Sequence, residues 1–377
     1  MKNPKVVLFG LAFLITGMVV YLLIDFGIIN LGNNSKNNNP PVTNNTTISS
    51  DENGEGGESV PTPTPQPTGE SKLKIFNENS NTRPYAIMIN NYPGAMKVQA
   101  GLNDAYAIYE FPIEGGMSRS LAFFKDKDTN KIGTVRSARQ YHPYYAYEHD
   151  AIYVHWGTNH PGSDAISDLK ITHIDANSTG AGKGKPFFRE NPEKLATEHT
   201  GYTSIERLKN YSSNKKHRMT TDVKPPFKYS YENVDLSSKS GAISANTIEL
   251  KYGGSYKLKY TYNKDTQRYE RSYNGKTHKD YFSKEVFSTK NIIVEYVKTG
   301  TVAEYKDAAG TNYLDITVAG SGKGYYITNG YAVEITWSKS EKKAQTVYKY
   351  LDGEEVKIND GNVYVNFIQK SKGATIK

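Results

Sequence analysis

Glu110, Glu114, Arg119, Arg136, Ser137, Arg139 and His155 all fall between Tyr109 and Gly157, and most stand where an apolar run begins or ends. Arginine presents a planar fork that matches phosphate or carboxylate. Arg119, Arg136 and Arg139 therefore define a candidate anion site, with Ser137 and backbone N–H groups as further donors. The bland alternative is that they pair with Glu110, Glu114 and Asp150 and only hold the fold. The carboxylates admit a reading of their own. Glu110 and Glu114 could serve as acid and base in glycan cleavage, which needs two carboxylates about 5–9 Å apart. Carboxylates among arginines stay ionised, which suits a base or nucleophile better than an acid. His155 completes the candidate catalytic set. A metal reading would gather His155, His160, His173 and Asp175, but no HExxH or HxH pair is present. No metal or other cofactor is expected.

The elements that must position these residues are short. Pro84–Asn90, Tyr106–Phe111, Leu121–Phe124, Ile132–Val135 and Ala151–His155 are apolar runs of strand length. Gln99–Ala105, Tyr141–His149, Ser163–Lys170 (with Ser163 as N-cap) and Thr203–Tyr211 are expected as helices. Strands alternating with helices predict a mixed α/β layer, and polar residues at strand ends are how such sheets build sites. The glycine-rich GAGKGK loop, Gly180–Lys185, lacks P-loop spacing and carries Pro186 where a hydroxyl residue is needed.

From Thr247 onward the pattern is β. Runs such as Arg268–Tyr273, Ile292–Val297, Tyr331–Trp337 and Val363–Phe367 alternate apolar with polar residues. Asn274-Gly275 and Asn329-Gly330 supply the positive φ of tight hairpins. The expected organisation is an α/β domain over 73–228, then an all-β domain over 229–377. His278, Asp280 and Trp337 are the polar and aromatic residues to watch in the second.

The chain has 377 residues, no cysteine, 30 tyrosines and a formal net charge of +8. The absence of cysteine excludes disulfides, thiol chemistry and an acylated lipobox. Positive charge favours anionic partners. Val6 to Ile24 is an apolar run preceded by Lys2 and Lys5, with no further lysine or arginine until Lys36. A helix of that length nearly spans a hydrocarbon core of about 30 Å. The positive-inside rule then places residues 1–5 in the cytoplasm, a single-pass anchor over 6–29, and the rest outside the plasma membrane. Residues 30–72 are rich in Asn, Gly, Pro and Thr and are expected to form a stalk. Outside the membrane, nucleic acid is not an expected partner.

At RPYAIMINN, the YE…EGGMSR run, IGTVRSAR and DAIYVHWG, the chain resembles the YerB-like family of Gram-positive envelope proteins. RYERSYNGKTHKD, NIIVEY, GSGKGYYITNG, ITWSK and LDGEEVKINDG extend the resemblance through the second region. It implies an exported, membrane-held protein with an α/β and a β-rich domain, and no established activity. Family members are commonly lipoproteins, a pattern from which this chain departs by lacking cysteine. SRSLAFFKDKDTNKIGTVRSARQ is also similar in pattern to membrane-anchored transferases that attach teichoic-type polymers to wall. That likeness implies arginines on a polyprenyl pyrophosphate with an acid nearby. The expected function is envelope scaffolding or assembly through an arginine-lined cleft for an anionic wall or lipid-linked glycan. Envelope proteins would dock on the β domain. The alternative is an enzyme using Glu110 or Glu114 for phosphoryl transfer or cleavage of such a polymer.

Overall fold

The computed structural model describes residues 71–253, 256–307 and 310–377. The anchor expected over 6–29, and the stalk up to residue 70, lie outside the described residues. Among the described residues, no helix is long and apolar enough to cross a membrane. The described residues form one compact unit.

The fold is mostly β; the first region mixes strands with helices as expected, but the helices are few and short. In chain order, the strands that matter here are β1 (Tyr85–Asn90), β2 (Ala107–Pro112), β3 (Ser118–Phe124), β4 (Ile152–His155) and β5 (His173–Asp175). The second region adds β6 (Thr247–Gly253), β7 (Tyr256–Asn263), β8 (Arg268–Tyr273), β9 (Asn291–Val297), β10 (Gly320–Thr328), β11 (Tyr331–Lys339) and β12 (Val363–Gln369). Helix α1 is His142–Glu148 and α2 is His160–Leu169.

One eleven-stranded sheet runs β11-β10-β9-β12-β2-β3-β1-β4-β5, with two short strands added at β11. Its middle joins the two regions. β12 lies parallel to β9 on one side and parallel to β2 on the other. Strands covered on both faces should be apolar throughout, and β2 is buried at every position. Alternation sends Tyr109 and Phe111 to one core, where Phe111 stacks on Phe367 at 4.2 Å beneath α1. It sends Ile108 to the other core, shared with Leu250, Leu258 and Tyr260 of a second sheet built on β6, β7 and β8.

Several elements differ from expectation for local reasons. Ile132–Val135 shortens to a two-residue strand in a separate sheet with Gly201–Thr203 and Phe187–Arg189. The helix expected over Gln99–Ala105 reduces to one turn, Leu102–Asp104, entered through Gly101 at φ 78°. Pro161 starts α2 earlier than expected, so Asn159, not Ser163, caps it by accepting from the Gly162 N–H at 3.1 Å. The all-β second region and its Asn-Gly hairpins are as expected, with φ of 46° and 77° at Asn274 and Gly275.

Candidate functional site

The arginine segment is pinned by backbone on both sides. After the two-residue strand the chain passes the end of β1, where Asn90 donates to the Thr134 carbonyl and Arg136 to the Met88 carbonyl. On its other flank, Ala138 donates to Gly157 O at 2.9 Å and Trp156 to Arg136 O at 3.1 Å. Arg136, Ser137 and Arg139 thus project from a main chain that is fixed at each second residue.

Arg119 enters the same region from β3. It stands opposite Phe111 on β2 and opposite Asn90 on β1. The residue is 5% exposed. Its Nη1 donates to Ser137 O at 2.7 Å and to Ser137 Oγ at 3.2 Å. Its Nε–H is buried with no partner, and no carboxylate forms an ion pair with it among the described residues. Burial, then the charges of Arg139 and Arg136, bring its pKa down to about 9. At neutral pH it remains a buried cation beside two others.

Arg139 is the arginine already matched. Its Nε and Nη2 hold Glu114 in a fork at 3.0–3.2 Å, and its guanidinium lies 5.0 Å from the Tyr313 ring. Among the described residues, the Arg136 side chain has only a backbone partner, the Glu198 carbonyl at 3.3 Å. It lines a cavity of about 260 Å³ with Trp156, Arg189, Thr197 and Glu198. Arg189 sits 4.1 Å over Trp156 and donates to Thr197 O and Thr200 Oγ1. Burial lowers the pKa of both Arg136 and Arg189, and Glu198 opposes the shift. Arg189 and Trp156 escaped the sequence reading. Arg189 comes from a separate small strand, and Trp156 carried no signal beyond its place next to His155.

Glu110 is not part of this arrangement. On β2 it pairs with Ser120 of β3, so it faces away from Arg119 by the two-residue period. It meets Arg271 of β8 in a fully buried ion pair at 2.8 Å and accepts from Ser118 Oγ at 2.5 Å and Tyr256 OH at 3.1 Å. Arg271 in turn donates to His278 Nδ1, and His278 Nε2–H donates to Met96 O at 3.2 Å. Burial and the adjacent Arg271 hold that imidazole neutral. Glu114 does lie on the arginine face, but Arg139 and the Leu314 N–H, at 2.9 Å, occupy both its oxygens. The sheet therefore separates the two carboxylates offered as a catalytic pair.

His155 lies directly behind Trp156 in the chain. Its Nδ1–H donates to Gly157 O at 2.9 Å, and its Nε2 accepts from His173 Nδ1 at 3.1 Å. Burial lowers its pKa to about 4 against the opposing charge of Asp175. No hydrogen bond joins it to the arginines. His160 is elsewhere, bonded to Asp164 and stacked on Tyr305. No group of three or more metal-binding side chains converges among the described residues. Asp280 is taken up by the N–H groups of Gly101, Phe282 and Ser283.

A two-region chain sharing one sheet, with a buried arginine cluster at the end of β1, defines a recognisable class. Residues 68–218 match the N-terminal domain, and residues 248–365 the C-terminal domain, of the family described as protein of unknown function (DUF3048), and the chain belongs to that family. It is similar to YerB of Bacillus subtilis (strain 168), a protein named provisionally as a lipoprotein, with 26% identity over 81% of this chain and 86% of that one. The crystal structure of YerB from Bacillus subtilis has the same fold, with a TM-score of 0.65 covering 78% of this chain and 94% of that one at 24% identity.

Proposed function

We propose that the arginine face binds an anionic ligand of the cell envelope, a wall polymer or a lipid-linked glycan, and that the protein scaffolds envelope assembly from the outer side of the plasma membrane. The observation that carries this reading is Arg119. A buried cation is costly unless it is paired. Here three guanidiniums share one tightly matched acid, Glu114, and Arg119 keeps an unpartnered Nε–H. Phosphate or carboxylate oxygens from a ligand would supply the missing acceptor and charge. Arg136, next in the chain to the Ser137 that Arg119 holds, would present such a group from the cavity it lines with Arg189 and Trp156.

Both oxygens of Glu110 and of Glu114 are held by fixed donors. That favours binding over turnover. The kinship with a protein named as a lipoprotein supports an envelope location, and in this chain the Val6–Ile24 run is the expected anchor. The β region is available for protein partners. The test is retention of the full chain, in detergent, on isolated anionic wall polymer and on vesicles carrying a lipid-linked precursor. Removing one charge-assisted arginine contact costs about 1.5–3 kcal/mol, so Arg136→Gln and Arg189→Gln should each weaken retention roughly ten- to hundredfold. Equal retention of wild type and both variants would overturn the proposal.

A further inference from the structure

A second groove opens far along the sheet order from the arginines. β9 and β10 pair only as far as Glu295 opposite Gly324. Beyond that point both strands continue, β9 to Val297 on β12 and β10 back to Gly320 on β11. Each is paired on its outer side alone, so the sheet forks. The fork is a cavity of about 850 Å³, within the range of roughly 300–1,000 Å³ typical of ligand pockets.

Its walls are specific. Gly320, Gly322 and Gly324 alternate on β10, which leaves one face of that strand without side chains. A Cβ at Gly322 would strike the Trp337 indole at 2.6 Å, whereas one at Gly320 would meet nothing within 4 Å. Trp337 crosses the fork and donates its Nε1–H to Tyr296 O at 3.1 Å, which holds the ring in place. Tyr296 and Tyr325 stand edge to face, with ring centroids 6.4 Å apart. At the rim, Lys323 is neutralised by Glu334 at 2.6 Å. Lys298 and Lys370 are exposed and form no ion pair among the described residues.

We propose that this groove binds a saccharide chain bearing negative charge. Pyranose rings present C–H faces that pack on the Trp337, Tyr296 and Tyr325 rings and over the open Gly320, while their hydroxyls stay toward water. The unpaired Lys298 and Lys370 then meet carboxylate or phosphate groups spaced along the chain. The site is separate from the arginine face and does not depend on it.

Calorimetry on the full chain in detergent tests this with three probes: a hyaluronan hexasaccharide, neutral chitohexaose, and poly-L-glutamate, which has the charge without the rings. The hyaluronan fragment should bind at least fivefold more tightly than either other probe. Tyr325→Ala should weaken it at least fivefold. Lys298→Glu with Lys370→Glu, both at exposed positions that leave the fold intact, should weaken it at least fivefold at low salt, and the difference from wild type should shrink as salt rises. The fold-changes caused by the Tyr325 and lysine variants should be the same in an Arg136→Gln background, which separates failure here from failure at the arginine face. Equal binding of poly-L-glutamate or of chitohexaose, no binding of hyaluronan at millimolar concentration, or indifference to the Tyr325 and lysine variants would each overturn the assignment.

Discussion

At the scale of residues, buried ionisable groups set both the proposed function and the pH response. Arg119 is destabilising where it stands, because burial strips its hydration without an acid in return. Arg119→Met is therefore expected to hold or raise the urea midpoint while abolishing binding of anionic ligand. Loss of both together would instead mark Arg119 as a purely structural residue. His155 responds in the opposite sense to an ordinary surface histidine. Its folded pKa, near 4, lies below the unfolded value of about 6.5. The unfolded chain takes up the proton first, so stability falls as pH drops from 6.5 towards 4, by up to about 3 kcal/mol. His155→Gln should flatten that part of a stability–pH curve measured by urea denaturation. Glu295 is the converse case. Burial raises its pKa to about 8, and Tyr348 OH donates to it at 3.0 Å. The folded state keeps the proton over the range from 4.5 to 8, so stability is lost as pH rises through that range. Glu295→Gln should be more stable than wild type at pH 8 and nearly equal to it at pH 4.5.

At the scale of elements, the Glu110–Arg271 pair fastens the main sheet to the second one. Both partners are buried, with Ser118, Tyr256 and His278 completing the network. Arg271→Leu leaves a buried carboxylate unpaired and should cost about 3–5 kcal/mol. Adding Glu110→Met should recover most of that loss in the same denaturation assay. The pair also shows what sequence could and could not convey. Apolar runs disclosed β1 to β4, because burial on both faces leaves a compositional mark that local pattern detects. Which face a residue takes depends on register with a partner strand. Glu110 and Arg119 sit close in the chain yet on opposite faces, since Glu110 pairs with Ser120 and Arg119 with Phe111. The partner that claims Glu110 lies 161 residues away, beyond any local signal. Arg189 was hidden for the same reason, while Arg119, Arg136, Ser137 and Arg139 were legible because one short segment carries most of them.

At the scale of the molecule, β12 places a strand from the end of the chain beside β2, from near its start. An isolated fragment of residues 71–228 would expose the apolar edge of β2, an invitation to aggregate. The two regions are expected to unfold in one transition by calorimetry, and the fragment is expected to be insoluble. Two separate transitions, or a soluble folded fragment, would contradict this. The sequence marked the change from mixed to all-β patterning correctly, but a sheet that crosses that boundary leaves no trace in local composition.

The most direct test of the central claim is an arginine side-chain nitrogen spectrum of the isotope-labelled full chain in detergent, titrated with inorganic pyrophosphate. Arg119→Met and Arg136→Gln assign the two signals. The account predicts that the Nε–H resonances of Arg119 and Arg136 move together and saturate, while that of Arg271, buried against Glu110, stays still. Pyrophosphate binding that leaves Arg119 and Arg136 unmoved would contradict it.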